Sequence, residues 1–200
     1  MSIDIKKHRR EIAQHLRNGR TEMTPSGLLI KGGMNALCNG VFGHKLMRGE
    51  EIIDPALDPN RVVGEALNYI INAAFHGQSQ HTQFYIGLFS GNVTPQANWT
   101  GANVVANATE FTNYAEATRQ LWDADPATAQ VSGNTGSEAV FSISGTGRTV
   151  RGAFLATASA KGATTGLLVA ATRFAADRAN LAEPDRIAVE YSLRAVDATT

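Results

Sequence analysis

The sequence is poor in cysteine, has no net charge and contains no long apolar run. Cys38 is the only cysteine, which excludes an internal disulfide and a zinc site built from several cysteines. No apolar stretch approaches the roughly 20 residues of a membrane-spanning helix. The N-terminal segment is basic but lacks the apolar centre of a secretory signal. We therefore expect a protein with no membrane partner, made in a reducing compartment.

The net charge of zero conceals two regions of opposite sign. The 200 residues contain 18 Lys/Arg and 18 Asp/Glu. Residues 1–48 hold nine basic and three acidic residues, whereas residues 49–200 hold nine basic and fifteen acidic ones. The overall balance argues against nucleic acid as a partner, because nucleic-acid-binding domains carry a basic excess. A basic segment ahead of an acidic remainder is typical of a tail that binds a partner.

Residues 1–20 are predicted to form a short helix, which Asp4 can cap and Gly19 can end. Its apolar stripe is too thin to bury the helix alone, so the helix needs a neighbour in its own chain or in another. The remaining surface is basic. The residues that we expect to bind a partner are Lys6, Lys7, Arg9, Arg10, Ile12, Leu16, Arg17 and Arg20.

Glycine and proline recur through residues 21–58 and predict an irregular, extended connection. We therefore assign residues 1–58 to a basic N-terminal helix and extended arm. A second helix is predicted over residues 59–76, with Asp58 as its N-cap and Pro59 in its first turn. Its apolar residues recur at helical spacing, so we expect this helix to pack against a sheet. They are Val63, Leu67, Ile70, Ile71 and Ala74.

From residue 82 the apolar period changes to two, which is typical of strands. The clearest strand is residues 186–195, where Ile187, Val189, Tyr191 and Leu193 alternate with polar or small residues. The other predicted strands are residues 82–90, 138–144, 148–157 and 166–174. Several antiparallel strands with long loops indicate a mainly β fold, an antiparallel β-sandwich or jelly-roll-like body over residues 59–200 with one packed α-helix.

No pattern in the sequence indicates catalysis or metal binding. His76 and His81 are five residues apart with no acidic residue nearby, and Asp54 and Asp58 each precede a proline, where turn and cap roles explain them. No nucleophile–base pair can be assembled. We therefore expect a non-enzymatic protein with no catalytic residue, no metal and no cofactor.

Trp99 lies in a stretch rich in Asn, Thr, Ala and Gly, residues 91–107, which we expect to form an exposed loop. If exposed, the indole is a possible contact for a sugar ring or a protein partner. The alternative is that it folds back over the β-body.

Four segments and the final strand resemble structural proteins of tailed-bacteriophage virions, over roughly residues 62–195. The segments are ALNYIINAAF (66–75), FYIGLFSGNVTP (84–95), EFTNYAEATRQLW (110–122) and GAFLATASAK (152–161). The resemblance implies a component of the virion head, or of its neck and tail, made in the host cytoplasm.

We therefore expect a virion protein that decorates or cements the capsid. Its partners would be the major capsid protein, other virion proteins, or copies of itself in a homo-oligomer. A neck, collar or tail-ring component is the first alternative. The second is a carbohydrate-binding module on the virion surface that uses Trp99, Tyr114 and Trp122.

Overall fold

The computed structural model describes residues 22–23, 29–30 and 36–197, and the side chains of residues 38–195. The chain divides into two compact units, one of Met1–Leu37 with Ala195–Thr200 and one of Cys38–Arg194. In the first unit, β1 (Glu22–Met23) and β2 (Leu29–Ile30) form a short antiparallel pair.

The rest of the described chain is mainly β, with two helices. The strands are β3 (Ala36–Arg48), β4 (Glu51–Pro59), β5 (Arg61–Val62), β6 (Tyr85–Phe89), β7 (Glu110–Phe111), β8 (Gln120–Leu121), β9 (Val131–Gly133), β10 (Ala139–Ser142), β11 (Arg148–Ala156), β12 (Leu168–Leu181) and β13 (Arg186–Asp197). The helices are α1 (Gly64–Phe75) and α2 (Gly101–Ala108).

The strands form two antiparallel sheets. In the first, called the β3 sheet, the order is β10-β13-β3-β4, and β9 also pairs with β13. In the second, called the β11 sheet, the order is β5-β12-β11-β6-β7, and β8 also pairs with β6. Buried side chains from both sheets join in one hydrophobic cluster, which includes Phe42 and Tyr191 from the β3 sheet and Leu88 and Phe154 from the β11 sheet.

The mainly β fold and the five predicted strands are confirmed. In β13, Ile187, Val189 and Tyr191 are buried, as the alternation predicted. In β6, successive residues Ile86, Gly87, Leu88 and Phe89 are all buried, so this strand is covered on both faces, unlike the half-buried alternation of a sheet with one solvated face. The prediction of a single helix in the β-body is wrong, since α2 occupies part of the expected 91–107 loop.

The prediction of an irregular connection over residues 21–58 is wrong from residue 36 onward. β3 and β4 are long paired strands, in which Phe42 and His44 face inward while Gly43 lies between them on the outer side. Gly49, with φ of 61°, makes the tight turn between the two strands. Gly40, Gly43 and Gly49 therefore lie in a β-hairpin, and residues 38–58 belong to the compact unit Cys38–Arg194.

The predicted helix of residues 59–76 is confirmed only over Gly64–Phe75. Asp58 and Pro59 end β4 instead of starting the helix, because the Asp58 carboxylate bonds the backbone N–H of Ala175 and the ring of His44. Val63 is the N-cap, and its own N–H donates to Val169 in β12. The helix therefore begins directly after β5, where the pairing of β5 with β12 ends.

Two bulges shape the edge where β4 and β12 meet. Between the paired positions Gly152–Arg173 and Val150–Arg178, β12 advances five residues while β11 advances two. In β4, Asp54 takes a left-handed conformation with φ of 46° beside a register shift against β3. Bulges redirect side chains and increase strand twist. Here they bring the Arg178 side chain against β3 and β4.

Candidate interaction surfaces

The residues predicted to bind a partner through the N-terminal segment lie outside the described residues. They are Lys6, Lys7, Arg9, Arg10, Ile12, Leu16, Arg17 and Arg20. Their partner-binding role therefore stays a prediction.

Trp99 is 6% exposed and belongs to the hydrophobic core, so of the two alternatives for this residue the structure shows the indole folded back over the β-body. The cause is local. The Asn103 carboxamide accepts the backbone N–H of Thr100 at 2.8 Å in a capping box that starts α2. The loop therefore turns into a helix directly after Trp99, and the indole folds back over the β-body.

The other two aromatic residues of the carbohydrate-binding alternative are not free platforms either. Tyr114 is buried, and the ammonium of Lys161 lies 3.7 Å from the centre of its ring. Trp122 is half-buried and donates its indole N–H to the backbone carbonyl of Tyr191 at 2.9 Å. Of the three aromatic residues of this alternative, Trp99 and Tyr114 are buried and Trp122 is partly exposed, so they do not together form one open aromatic surface.

The arrangement closest to an acid–base site is a buried cluster of His44, Asp58 and Arg178. The Arg178 Nε–H donates to His44 Nδ1 at 3.0 Å, and His44 Nε2 lies 2.8 Å from Asp58 Oδ2. Because a guanidinium only donates, Nδ1 must accept and Nε2 must carry the proton. Arg178 also donates to the backbone carbonyl of Asp54, and the His44 ring stacks on Phe174.

This cluster joins the two sheets and is not arranged for catalysis. Burial lowers the pKa of His44, and both ring nitrogens are occupied by protein partners. A general base needs a free nitrogen within reach of substrate, and the His44 side chain is fully buried. The cluster therefore ties β3 and β4 to β12, with the Thr172 hydroxyl adding a bond to the Pro59 carbonyl at 2.8 Å.

The outward face of α1 is apolar and exposed. On a helical projection Leu67, Ile70, Ile71, Ala74 and Phe75 form one stripe. Phe75 is 80% exposed and Ile71 is 51% exposed. The sequence predicted that this stripe packs against a sheet. Only its border is covered, because the helix rests on the body through Ala66, the one residue of α1 that is fully buried.

The position of α1 on the body explains why the stripe stays open. Beneath the helix, Ala66, Tyr69 and Ile70 line a cavity of about 120 Å³ together with side chains of the β-body. The segment that follows α1 folds back, and the N–H of His81 donates to the Tyr69 hydroxyl at 2.7 Å. These contacts hold one side of the helix, cover part of Ile70 and leave the rest of the stripe facing solvent.

The stripe has the chemistry of a protein interface. Glu65 is the only charged residue of α1, and its carboxylate is engaged with the N–H of Leu168 at 2.7 Å, away from the stripe. A partner therefore covers apolar side chains without desolvating a charge, and a contiguous exposed apolar patch typically marks an interaction site. The near absence of charge on α1 was visible in the sequence, but the prediction that the helix packs against a sheet used only the spacing of its apolar residues.

No protein-family model matches the chain, and no curated protein matches it. No helix within the described ranges is long and apolar enough to cross a membrane. In the same part of the chain, no group of three or more His, Cys, Asp or Glu side chains is placed to hold a metal ion.

Proposed function

We propose that this protein is a non-enzymatic structural component of a tailed-bacteriophage virion that decorates or cements the capsid through many copies. The observation that carries the proposal is the uncharged apolar stripe of α1, presented by a β-rich body. Such a surface is suited to permanent contact with protein. The resemblance of residues 62–195 to virion proteins supports the same class.

The body is proposed to be a β-sandwich of jelly-roll-like form. Both sheets contribute to one hydrophobic cluster, as expected of sheets that pack face to face. The buried bonds from Arg178 in β12 to His44 in β3 and to Asp54 in β4 link the sheets along one edge. A rigid body of this kind gives each copy a fixed shape, which a symmetric shell requires.

The proposed partners are the major capsid protein, other virion proteins and copies of this chain. The stripe on α1 supplies an apolar contact, and the basic segment of residues 1–20 supplies a charged one, directed at an acidic surface. Two separate contacts on one chain raise the overall affinity through effective concentration.

The decisive test is the location and copy number of the protein in purified particles, measured by quantitative mass spectrometry against the major capsid protein. Hundreds of copies per particle are expected for shell decoration. About a dozen copies or fewer indicate a neck, collar or tail ring, since closed rings have low copy numbers. Absence from the particle overturns the proposal.

A further inference from the structure

The outer face of the β3 sheet carries a second exposed surface. In β3 and β13, the residues that alternate with the buried ones face away from the core, and we call this side the outer face. Leu57, opposite Gly43 in the β4–β3 pairing, is 75% exposed. Ile52 and Val41 add further exposed apolar area on the same strands.

A cavity of about 340 Å³ opens on this face. Gly43 forms its floor, because a Cβ added there would lie 3.2 Å from Leu57 Cδ2 and 3.6 Å from Glu190 Cβ. One side of the cavity is lined by Leu57 and Pro55 from β4. The other side is lined by Glu190 from β13, by Glu138 beside β10, and by Lys45. The cavity therefore has an apolar wall and a charged wall.

The charged wall has more carboxyl groups than cations. Ala139 pairs with Val189, so the preceding Glu138 and the following Glu190 are neighbours across β10 and β13. Lys45 Nζ bonds Glu138 Oε1 at 2.7 Å. Glu190 shares a carboxyl–carboxyl hydrogen bond with Glu138 and has a long contact, 3.5 Å, with the Thr135 hydroxyl.

The protonation of the pair agrees with this geometry. Burial and the neighbouring Glu138 raise the pKa of Glu190, whereas the hydrogen bond from Lys45 lowers the pKa of Glu138. Within the described part of the chain, Glu190 makes no ion pair of its own. A further cation placed beside Glu190 would balance its charge.

The acidic character continues along the nearest edge of the sheet. Glu50 and Glu51 at the β3–β4 turn and Asp54 in the β4 bulge are exposed, and of the nearby arginines Arg48 pairs with Asp185 and Arg178 lies 4.0 Å from Asp54. In contrast, residues 1–20 contain six basic and two acidic residues. The outer face and the N-terminal segment are therefore complementary in charge, and charge complementarity between surfaces directs which partners associate.

We propose that the outer face of the β3 sheet binds the basic segment, residues 6–20, of a second copy of this chain, with one Lys or Arg side chain in the cavity between Leu57 and Glu190. The aliphatic stem of such a side chain packs on Leu57 above Gly43, and its cationic end reaches Glu190. The proposal deepens the proposed function by naming the partner and the surface of the basic segment.

Side-chain docking fits this face better than addition of a strand to the β4 edge. Pro55 has no N–H to donate, and the bulge at Asp54 breaks the regular spacing of backbone groups. An incoming strand could not pair along the whole of β4. The contact therefore depends on side chains, which makes it sensitive to single charge changes.

The test uses full-length chains and sedimentation velocity at low salt. We expect the wild-type chain to self-associate and Glu190→Lys to weaken this association by about tenfold or more. A second variant, Lys6→Glu with Lys7→Glu, should be weakened equally. Asp123→Lys, which reverses an exposed carboxylate outside the cavity, is the matched control and should associate like the wild type.

Mixing the two weakened variants identifies the partner. The Lys6→Glu/Lys7→Glu chain keeps an intact face and the Glu190→Lys chain keeps an intact segment, so together they should form a 1:1 dimer. Carbodiimide crosslinking of ¹⁴N and ¹⁵N wild-type chains should join Lys6 or Lys7 of one isotope to Glu138 or Glu190 of the other.

Several results overturn the proposal. They are a wild-type chain that stays monomeric up to about 100 µM, a Glu190→Lys chain that associates normally, no dimer on mixing, or crosslinks confined to one isotope. Crosslinks spread evenly to Asp123 and Asp125 also overturn it. These measurements use the purified chain alone, so their failure is separate from absence of the protein from particles.

Discussion

Arg119 and Glu110 show how charged residues are accommodated inside the β-body. Both side chains are 2% exposed, and two guanidinium nitrogens of Arg119 contact the two carboxylate oxygens of Glu110 at 2.8 and 2.7 Å. Arg119 also donates to the carbonyls of Ala158 and Ala163. Four of the five N–H donors of Arg119 are therefore engaged, and removal of one member of this buried pair leaves the other charge unpaired.

The first prediction concerns this pair. Arg119→Met should lower the free energy of unfolding by about 3–5 kcal/mol, because the Glu110 carboxylate stays buried without its cation. Urea denaturation measures the change. Arg151→Met, which breaks the half-exposed pair with Asp177, is the control and should cost about 0–1 kcal/mol. Equal losses in the two variants would contradict the interpretation.

The second prediction concerns pH and His44. Burial lowers the pKa of its ring in the folded chain, whereas the unfolded chain takes up the proton below about pH 6.5. The unfolded state then binds more protons, so the free energy of unfolding should fall as the pH drops below about 6.5. One proton contributes at most about 1.4 kcal/mol per pH unit.

Urea denaturation across this pH range tests the assignment. His44→Gln should be less stable than the wild type at neutral pH but should show a flatter dependence on pH. His76→Gln, which changes an exposed ring, is the control and should keep the wild-type slope. An unchanged slope in His44→Gln would mean that another group causes the pH dependence.

At the scale of the element, α1 shows that a helical period of apolar residues predicts a helix but not which of its residues are buried. Its apolar residues recur at helical spacing, and the helix forms where that pattern predicted it. Which side of the helix is covered depends on where β12 and Trp122 lie, and these are distant in sequence. The pattern therefore predicted the position of the helix correctly, but the prediction that its apolar stripe packs against a sheet was wrong.

The third prediction tests the stripe on α1. Ile71→Ser with Phe75→Ser should weaken binding to particles or to the purified partner by about tenfold or more, because both side chains are central to an apolar contact. The melting temperature should hardly change, since both residues are largely exposed. Co-sedimentation and circular dichroism measure the two effects.

Asn68→Ser is the control for this variant, because it changes an exposed polar residue of the same helix. It should bind like the wild type. If the double variant binds as well as this control, the stripe is not an interface.

At the scale of the whole molecule, the basic segment and most of the acidic residues belong to different compact units. The basic segment belongs to the unit of Met1–Leu37 with Ala195–Thr200, and most of the acidic residues belong to Cys38–Arg194. A compact unit with its own core is expected to fold without the segment.

The fourth prediction follows from this division. Deletion of residues 1–20 should abolish association with capsids and leave the β-body folded, as judged by circular dichroism and thermal unfolding. A second variant keeps the full length but changes Lys6, Lys7, Arg9 and Arg10 to Gln. It tests whether binding depends on the positive charge of the segment, and it should lose most of the binding. Normal particle binding by the truncated chain would show that the segment is not an anchor.

The sequence by itself determined the local features. Alternation placed β6, β10, β11, β12 and β13, and helical spacing placed α1, because burial on one side of an element leaves a period that the chain records. The opposite charges of the N-terminal segment and the remainder could also be counted directly.

The tertiary structure decided everything that depends on distant neighbours. His44 and Arg178 are 134 residues apart, and they meet where a bulge in β12 lies beside the bulge in β4. Trp99 is buried because α2 turns the chain back, and the α1 stripe is exposed because nothing in the described part of the chain covers it. Local pattern records which residues favour burial, but only the packing of distant elements determines which of them are buried.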